Sequence, residues 1–226
     1  MFEKVKNYFN DWTMFEKIWL AVFTLIEVYL FFAWHDTLIG MITMLTGIWC
    51  VVLVAKGKRL NFYPGVINAI LYAYIAYQSR LYGEVMLNAL YFLPMQFIGY
   101  WVWTKTIDKN DSVKARMLSS WKRIALILGT GIAVYAYGLF LQRINGNFPF
   151  TDATSTVLSV IAMILMTLRY GEQWMLWIFV NIVSIIMWVG TYRQSGEGLS
   201  MIVMWSAYLV NAFYGMYNWN KMSKKV

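Results

Sequence analysis

The chain has 226 residues, of which 60% are hydrophobic and 19% aromatic while only 13% are charged, a balance that excludes an ordinary soluble domain. Its net charge of +8 does not indicate nucleic acid, because the basic residues stand in short segments between apolar runs rather than along one polar face. The one cysteine, Cys50, lies inside an apolar run, so a single chain offers neither a disulfide nor a cysteine-based metal site, and Cys50 is read as packing.

From the N-terminus, Phe2, Val5, Phe9 and Trp12 recur at helical spacing among Lys4, Lys6 and Asp11, the pattern of an amphipathic helix lying in the membrane interface. No short apolar stretch closed by small residues comes first, so no cleavable leader is expected. Eight apolar runs follow, over 18–34, 37–55, 60–79, 85–104, 124–142, 153–168, 173–192 and 198–220. Each is near the roughly 20 residues that cross a hydrocarbon core of about 30 Å. Only the first holds an ionisable residue, Glu27. Its first reading is a pair at a helix or subunit contact, the second a group that tunes transport.

The expected fold is therefore an all-α integral membrane protein with eight transmembrane helices. All but three of the 19 Lys and Arg fall on one side of the alternating loops, the exceptions being Arg80, Arg143 and Arg193. Positive residues are retained in the cytoplasm during insertion, so both termini are expected there.

The fourth and eighth runs repeat one another. Phe97, Gly99 and Trp103 match Phe213, Gly215 and Trp219 at one offset, and Asn68 in the third run falls opposite Asn181 in the seventh. This gives an N-terminal part at 1–36, a first three-helix repeat at 37–104, a cytoplasmic loop and linker helix at 105–152, a second repeat at 153–220 and a basic tail at 221–226. Because one linker crossing separates them, the two three-helix repeats are parallel, a plan used by transporters that bind solute where the repeats meet.

Nothing points to catalysis. The single histidine, His35, sits at an expected outer turn, no His, Cys and carboxylate cluster has metal-ligand spacing, and no Gly-rich phosphate loop precedes a helix. No cofactor is expected. Asp36, Asp108, Asp111, Asp152, Glu172 and Glu197 stand in loops or at run ends and are read as solvated or capping charges, with Asp152 a cap for the sixth helix. Trp12, Trp19, Trp34, Trp103, Trp121, Trp174 and Trp219 are placed as interfacial belts.

The remaining signal is uncharged polarity at membrane depth: Asn68, Asn88, Gln96, Asn181 and Asn211, beside Tyr72, Tyr91, Tyr100, Trp101, Trp177, Trp188 and Tyr208. Amides in hydrocarbon are costly unless paired, either with neighbouring helices or with a ligand. Pro94, two residues before Gln96, is expected to break the fourth helix and release a carbonyl. Aromatic faces and amides suit a flat, nucleoside-like solute, and a positively charged ring would gain from cation–π contact. With no ionisable residue expected inside the spans of either repeat, uncoupled diffusion is the expected mode.

The segments over 81–103 and 147–185, with the Gln96, Gly99, Trp103 spacing and the Phe150 to Arg169 stretch, resemble the PnuC family of bacterial nicotinamide riboside transporters. The resemblance covers roughly residues 40 to 220. It implies a three-plus-one-plus-three core distantly related to SWEET sugar carriers, a homotrimer in the inner membrane, and facilitated uptake of nicotinamide riboside. It also implies a substrate site built from Gln96, Asn88 and Tyr91 in the first repeat and Asn181, Trp188 and Asn211 in the second. Thiamine or another vitamin-like nucleoside stays open as the solute; a SWEET-type sugar carrier would have seven crossings where the charge pattern gives eight.

Overall fold

The structure, a computed structural model, describes residues 12–33, 37–78, 82–107, 113–143, 149–196 and 198–224. The expected amphipathic segment before Trp12 lies outside the described residues, as do Trp34, His35, Asp36, Arg80, Asp108, Asp111 and Glu197.

Eight long helices cover the described residues: α1 (Met14–Ala33), α2 (Leu38–Ala55), α3 (Phe62–Gln78), α4, α5 (Ser120–Arg143), α6 (Pro149–Thr167), α7 (Gln173–Ser195) and α8 (Leu199–Ser223). Helix α4 is continuous but changes pitch, from α over Tyr82–Met86 to π over Leu87–Phe92 and back to α over Leu93–Thr104. Five of the eight are long and apolar enough to cross a membrane on length and composition alone: α2, α4, α5, α6 and α7. Of the others, α1 carries Glu16, Lys17 and Glu27, α3 has 17 residues, and α8 is interrupted by asparagines and tyrosines. Outward faces are apolar, as lipid requires: Ile127, Leu128 and Ile132 of α5 are 68%, 62% and 71% exposed.

Local chemistry sets the helix starts. In α1, Thr13 and Glu16 form a capping box, the Thr13 amide donating to Glu16 Oε2 at 2.7 Å and the Glu16 amide to Thr13 Oγ1 at 3.3 Å. Thr37 caps α2 by accepting from the Gly40 amide at 2.9 Å. Helix α6 begins at Pro149, so Asp152 lies inside its first turn rather than at the cap. Pro94 does not break α4. Lacking an N–H, it leaves the preceding turn to widen, and the Leu93 amide reaches back five residues to Asn88 O.

Six helices close a ring: α2 packs on α3, α3 on α4, α4 on α6, α6 on α7, α7 on α8, and α8 back on α2. Helix α1 stands outside against α2 and α8, and α5 stands outside against α6. At the end of the ring near the α2–α3 and α6–α7 turns, the same contacts occur twice. Gly57 and Arg169 both adopt positive φ, 68° and 65°. The Lys58 amide donates to Leu53 O at 2.9 Å, and the Tyr170 amide donates to Leu165 O at 2.8 Å. Trp103 Nε1 donates to Met166 O at 3.2 Å across the ring, and Trp219 Nε1 donates to Val54 O at 2.9 Å. Gly99 admits the ring of Phe62 and Gly215 that of Trp174, since a Cβ at either would come within 2.4 or 2.5 Å of those carbons.

Trp103, Trp174 and Trp219 are therefore not belt residues. They are at most 3% exposed and form the core of this end; helix-terminal carbonyls satisfy the indole N–H of Trp103 and of Trp219, and Trp174 takes the space left by Gly215. Trp12 is buried as well, whereas Trp121, 74% exposed, fits an interfacial position. Glu172 likewise departs from a solvated charge: its buried carboxylate accepts from the Leu118 amide at 3.0 Å and from Arg123 Nε at 2.7 Å. The segment 113–118 thereby laces across both turns, the Val113 amide donating to Gly57 O and the Arg116 amide to Arg169 O. On the α1 side, Glu16 pairs with Lys56 at 2.8 Å and accepts from the Tyr214 hydroxyl at 2.7 Å, tying α1 to α2 and α8.

Candidate functional site

The ring surrounds a cavity whose empty space, counted out into open solvent at its mouth, is roughly 910 Å³. Helices α2, α3 and α4 line one half with Gly47, Gly65, Asn68, Tyr72, Glu84, Asn88 and Gln96, and α6, α7 and α8 line the other with Met163, Trp177, Asn181, Trp205, Tyr208 and Asn211.

Four of the six residues expected at a substrate site come together here: Gln96, Asn88, Asn181 and Asn211. Gln96 Oε1 and Asn211 Oδ1 are buried with no hydrogen-bond partner among the described residues. A group bound in the cavity can supply the partners that such buried polar atoms need. Their environments hold them in place. Gln96 lies against Gly65, where a Cβ would meet Oε1 at 2.4 Å, and Asn211 Nδ2 is anchored on Val51 O at 2.9 Å, leaving its oxygen for the cavity. Asn88 Nδ2 donates to Glu84 O at 2.9 Å, inside the widened π turn.

Tyr91 and Trp188 are not in the lining. The Tyr91 hydroxyl donates to Val160 O at 2.8 Å, tying α4 to α6. Trp188 is 1% exposed, donates through Nε1 to the Tyr72 hydroxyl at 3.2 Å and packs against Gly198. Their polar atoms serve helix contacts. Asn68 and Tyr208, by contrast, do line the cavity; Asn68 Nδ2 donates to Thr43 O at 2.7 Å.

Glu84 was hidden by the expected helix start at Val85. Helix α4 starts at Tyr82, which carries Glu84 into the cavity wall. The expectation that the spans of both repeats lack ionisable groups therefore fails at this position, and the helix that begins the second repeat also takes in Asp152, in the first turn of α6. The early start had a local signal, since an acid in a first helical turn favours the helix dipole. Cys50 also borders the cavity, as an unpaired thiol.

Among the described residues, the arrangement is a cavity with aromatic faces and inward amides, one carboxylate, and no lysine, arginine or histidine in its wall. No group of three or more metal-ligating side chains occurs among the described residues. Such a site can hold a flat, polar solute by stacking and hydrogen bonding.

Known proteins match this geometry over almost the whole chain. The nicotinamide mononucleotide transporter family matches residues 37–221. The nicotinamide riboside transporter PnuC of Neisseria mucosa is 37% identical over 226 residues, covering 97% of this chain and 86% of that one. The protein of the same name from Haemophilus influenzae is 38% identical over 223 residues, covering 97% and 96%. A crystal structure of the vitamin B3 transporter PnuC, 37% identical in sequence, superposes with a TM-score of 0.88 over 97% of both chains.

Proposed function

The chain belongs to the nicotinamide mononucleotide transporter family, and from that premise we propose that it carries nicotinamide riboside across the membrane. It is a multi-pass membrane transporter and not an enzyme. The observation that carries the substrate reading is the pair of buried, unpartnered amide oxygens, Gln96 Oε1 and Asn211 Oδ1, in an aromatic cavity. A carboxamide or ribose hydroxyl would donate to each, and Trp177 or Trp205 would stack on the pyridinium ring. Relatives named for nicotinamide riboside support the same reading.

The finer proposals follow from this one. Gln96, Asn88, Asn181 and Asn211 bind the solute, while Tyr91 and Trp188 set the helix contacts around them. The three-helix repeats 37–104 and 153–220 rock about the site, a motion favoured by the twofold recurrence of their turn contacts. Movement is by facilitated diffusion in the inner membrane, and both termini are cytoplasmic, an orientation that the lopsided Lys and Arg distribution supports. The homotrimer comes from the family resemblance, and α5, which among the described elements packs on α6 alone, leaves a face with Gly129 and Gly131 open to a neighbouring subunit.

The test is calorimetric titration of the purified protein with nicotinamide riboside, thiamine and nicotinamide, repeated on Gln96→Ala and Asn181→Ala. Binding of the riboside alone, weakened about fivefold or more in both variants with the fold intact, is the expected result. Binding of thiamine in its place would overturn the substrate and leave the architecture standing.

A further inference from the structure

We propose that Glu84 is the counter-charge through which the cavity selects a solute with a positively charged ring, an inference that rests on the riboside reading above. The carboxylate stands in the cavity wall on the first turn of α4, and its side chain has no hydrogen-bond or ion-pair partner among the described residues. No lysine, arginine or histidine among the described residues shares the lining. Among the described residues, the charge bearing on Glu84 is negative, Asp152 on the first turn of α6. A carboxylate withdrawn from bulk water without a cation is unfavourable, and a bound cation supplies what the wall lacks.

The riboside supplies that charge in the ring itself, whose nitrogen is quaternary once glycosylated. The same helix places the polar and charged readers together. Asn88 bonds the Glu84 carbonyl at 2.9 Å, so the turn that carries the carboxylate is tied to an amide of the site. Gln96 lies two helical turns further on, beyond the π turn over Leu87–Phe92. The aromatic lining favours the same choice, because the faces of Trp177, Phe92 and Trp205 attract a cationic ring more than a neutral one. A purely structural role, an acid complementing the dipole of α4, would make Glu84 indifferent to ring charge.

The test compares nicotinamide riboside with 1,4-dihydronicotinamide riboside, which keeps the ribose and carboxamide but has a neutral ring. Each is titrated calorimetrically into the full-length protein, into Glu84→Gln and into Glu84→Asp, with thermal unfolding recorded alongside. The wild type is expected to bind the cation about tenfold or more tightly than the dihydro form, the scale of one modest charge contact. Glu84→Gln is expected to weaken the cation selectively, bringing the two within about threefold, while Glu84→Asp keeps the preference. Equal weakening of both ligands, or an unchanged preference in Glu84→Gln, would overturn the proposal. A wild type that binds both forms equally would sink it while leaving the transport reading intact; a wild type that binds neither would sink both.

Discussion

A methyl group at Gly65 would occupy the place now held by the Gln96 amide. Built on the backbone, the Cβ of Gly65→Ala falls 2.4 Å from Gln96 Oε1, 2.8 Å from its Cδ and 3.2 Å from Cys50 Sγ. The first two contacts are with the far end of a flexible side chain, so Gln96 swings aside and the backbone stays. Alanine also suits a helix better than glycine by up to about 1 kcal/mol, which offsets the crowding. The fold is therefore expected to survive with its thermal midpoint nearly unchanged. Binding is not. A hydrogen bond to a neutral group contributes about 1 kcal/mol, and the loss of Gln96 from the cavity should weaken nicotinamide riboside about five- to tenfold by calorimetric titration. Gln96→Ala should lose a similar amount, and the double variant no more than Gln96→Ala alone, because both changes remove the same contact. Wild-type affinity in Gly65→Ala, or full additivity in the double variant, would refute the assignment of Gln96 to the solute.

Three further outcomes follow from the paired packing. Gly99→Ala and Gly215→Ala, which drive a Cβ into the Phe62 and Trp174 rings, should each destabilise by about 1–3 kcal/mol, read as a lower unfolding temperature in detergent; an unchanged midpoint in either would contradict the close approach. Trp103→Phe and Trp219→Phe remove the indole donors to Met166 O and Val54 O and should cost about 1 kcal/mol each in the same assay, with clearly unequal losses arguing against equivalent roles. Glu16→Gln removes the carboxylate charge that faces Lys56 at 2.8 Å and should destabilise by about 1.5–3 kcal/mol, the scale of a hydrogen bond to a charged group; an unchanged unfolding temperature would contradict the role of Glu16 in tying α1 to the ring.

The sequence carried the architecture because lipid leaves it few choices: apolar length, charge-free spans and basic loops are demanded by the bilayer itself. It also marked Gln96, Asn88, Asn181 and Asn211, which the structure places in the cavity wall, since an amide at membrane depth must find a partner. It could not separate an aromatic that lines a cavity from one that fills a gap. Tyr91 and Trp188 look like ligands by composition, but their hydroxyl and indole N–H are taken by Val160 and Tyr72. Trp103, Trp174 and Trp219 sit where a belt would be expected, yet glycines opposite Phe62 and Trp174 let them pack inward. Helix ends were the least legible feature. A shift of three residues at the start of α4 hid Glu84, and the bonds that make segment 113–118 a strap join residues too distant in the chain for local pattern to reveal.

The central claim is that this cavity moves nicotinamide riboside between the two halves of the ring. Purified protein reconstituted into liposomes, given labelled nicotinamide riboside with no ion gradient and with unlabelled solute inside, tests it most directly. The account predicts rapid counterflow in the wild type and its loss in Asn181→Ala reconstituted to equal density. Counterflow unaffected by Asn181→Ala, or uptake in the wild type only when an ion gradient is imposed, would contradict it.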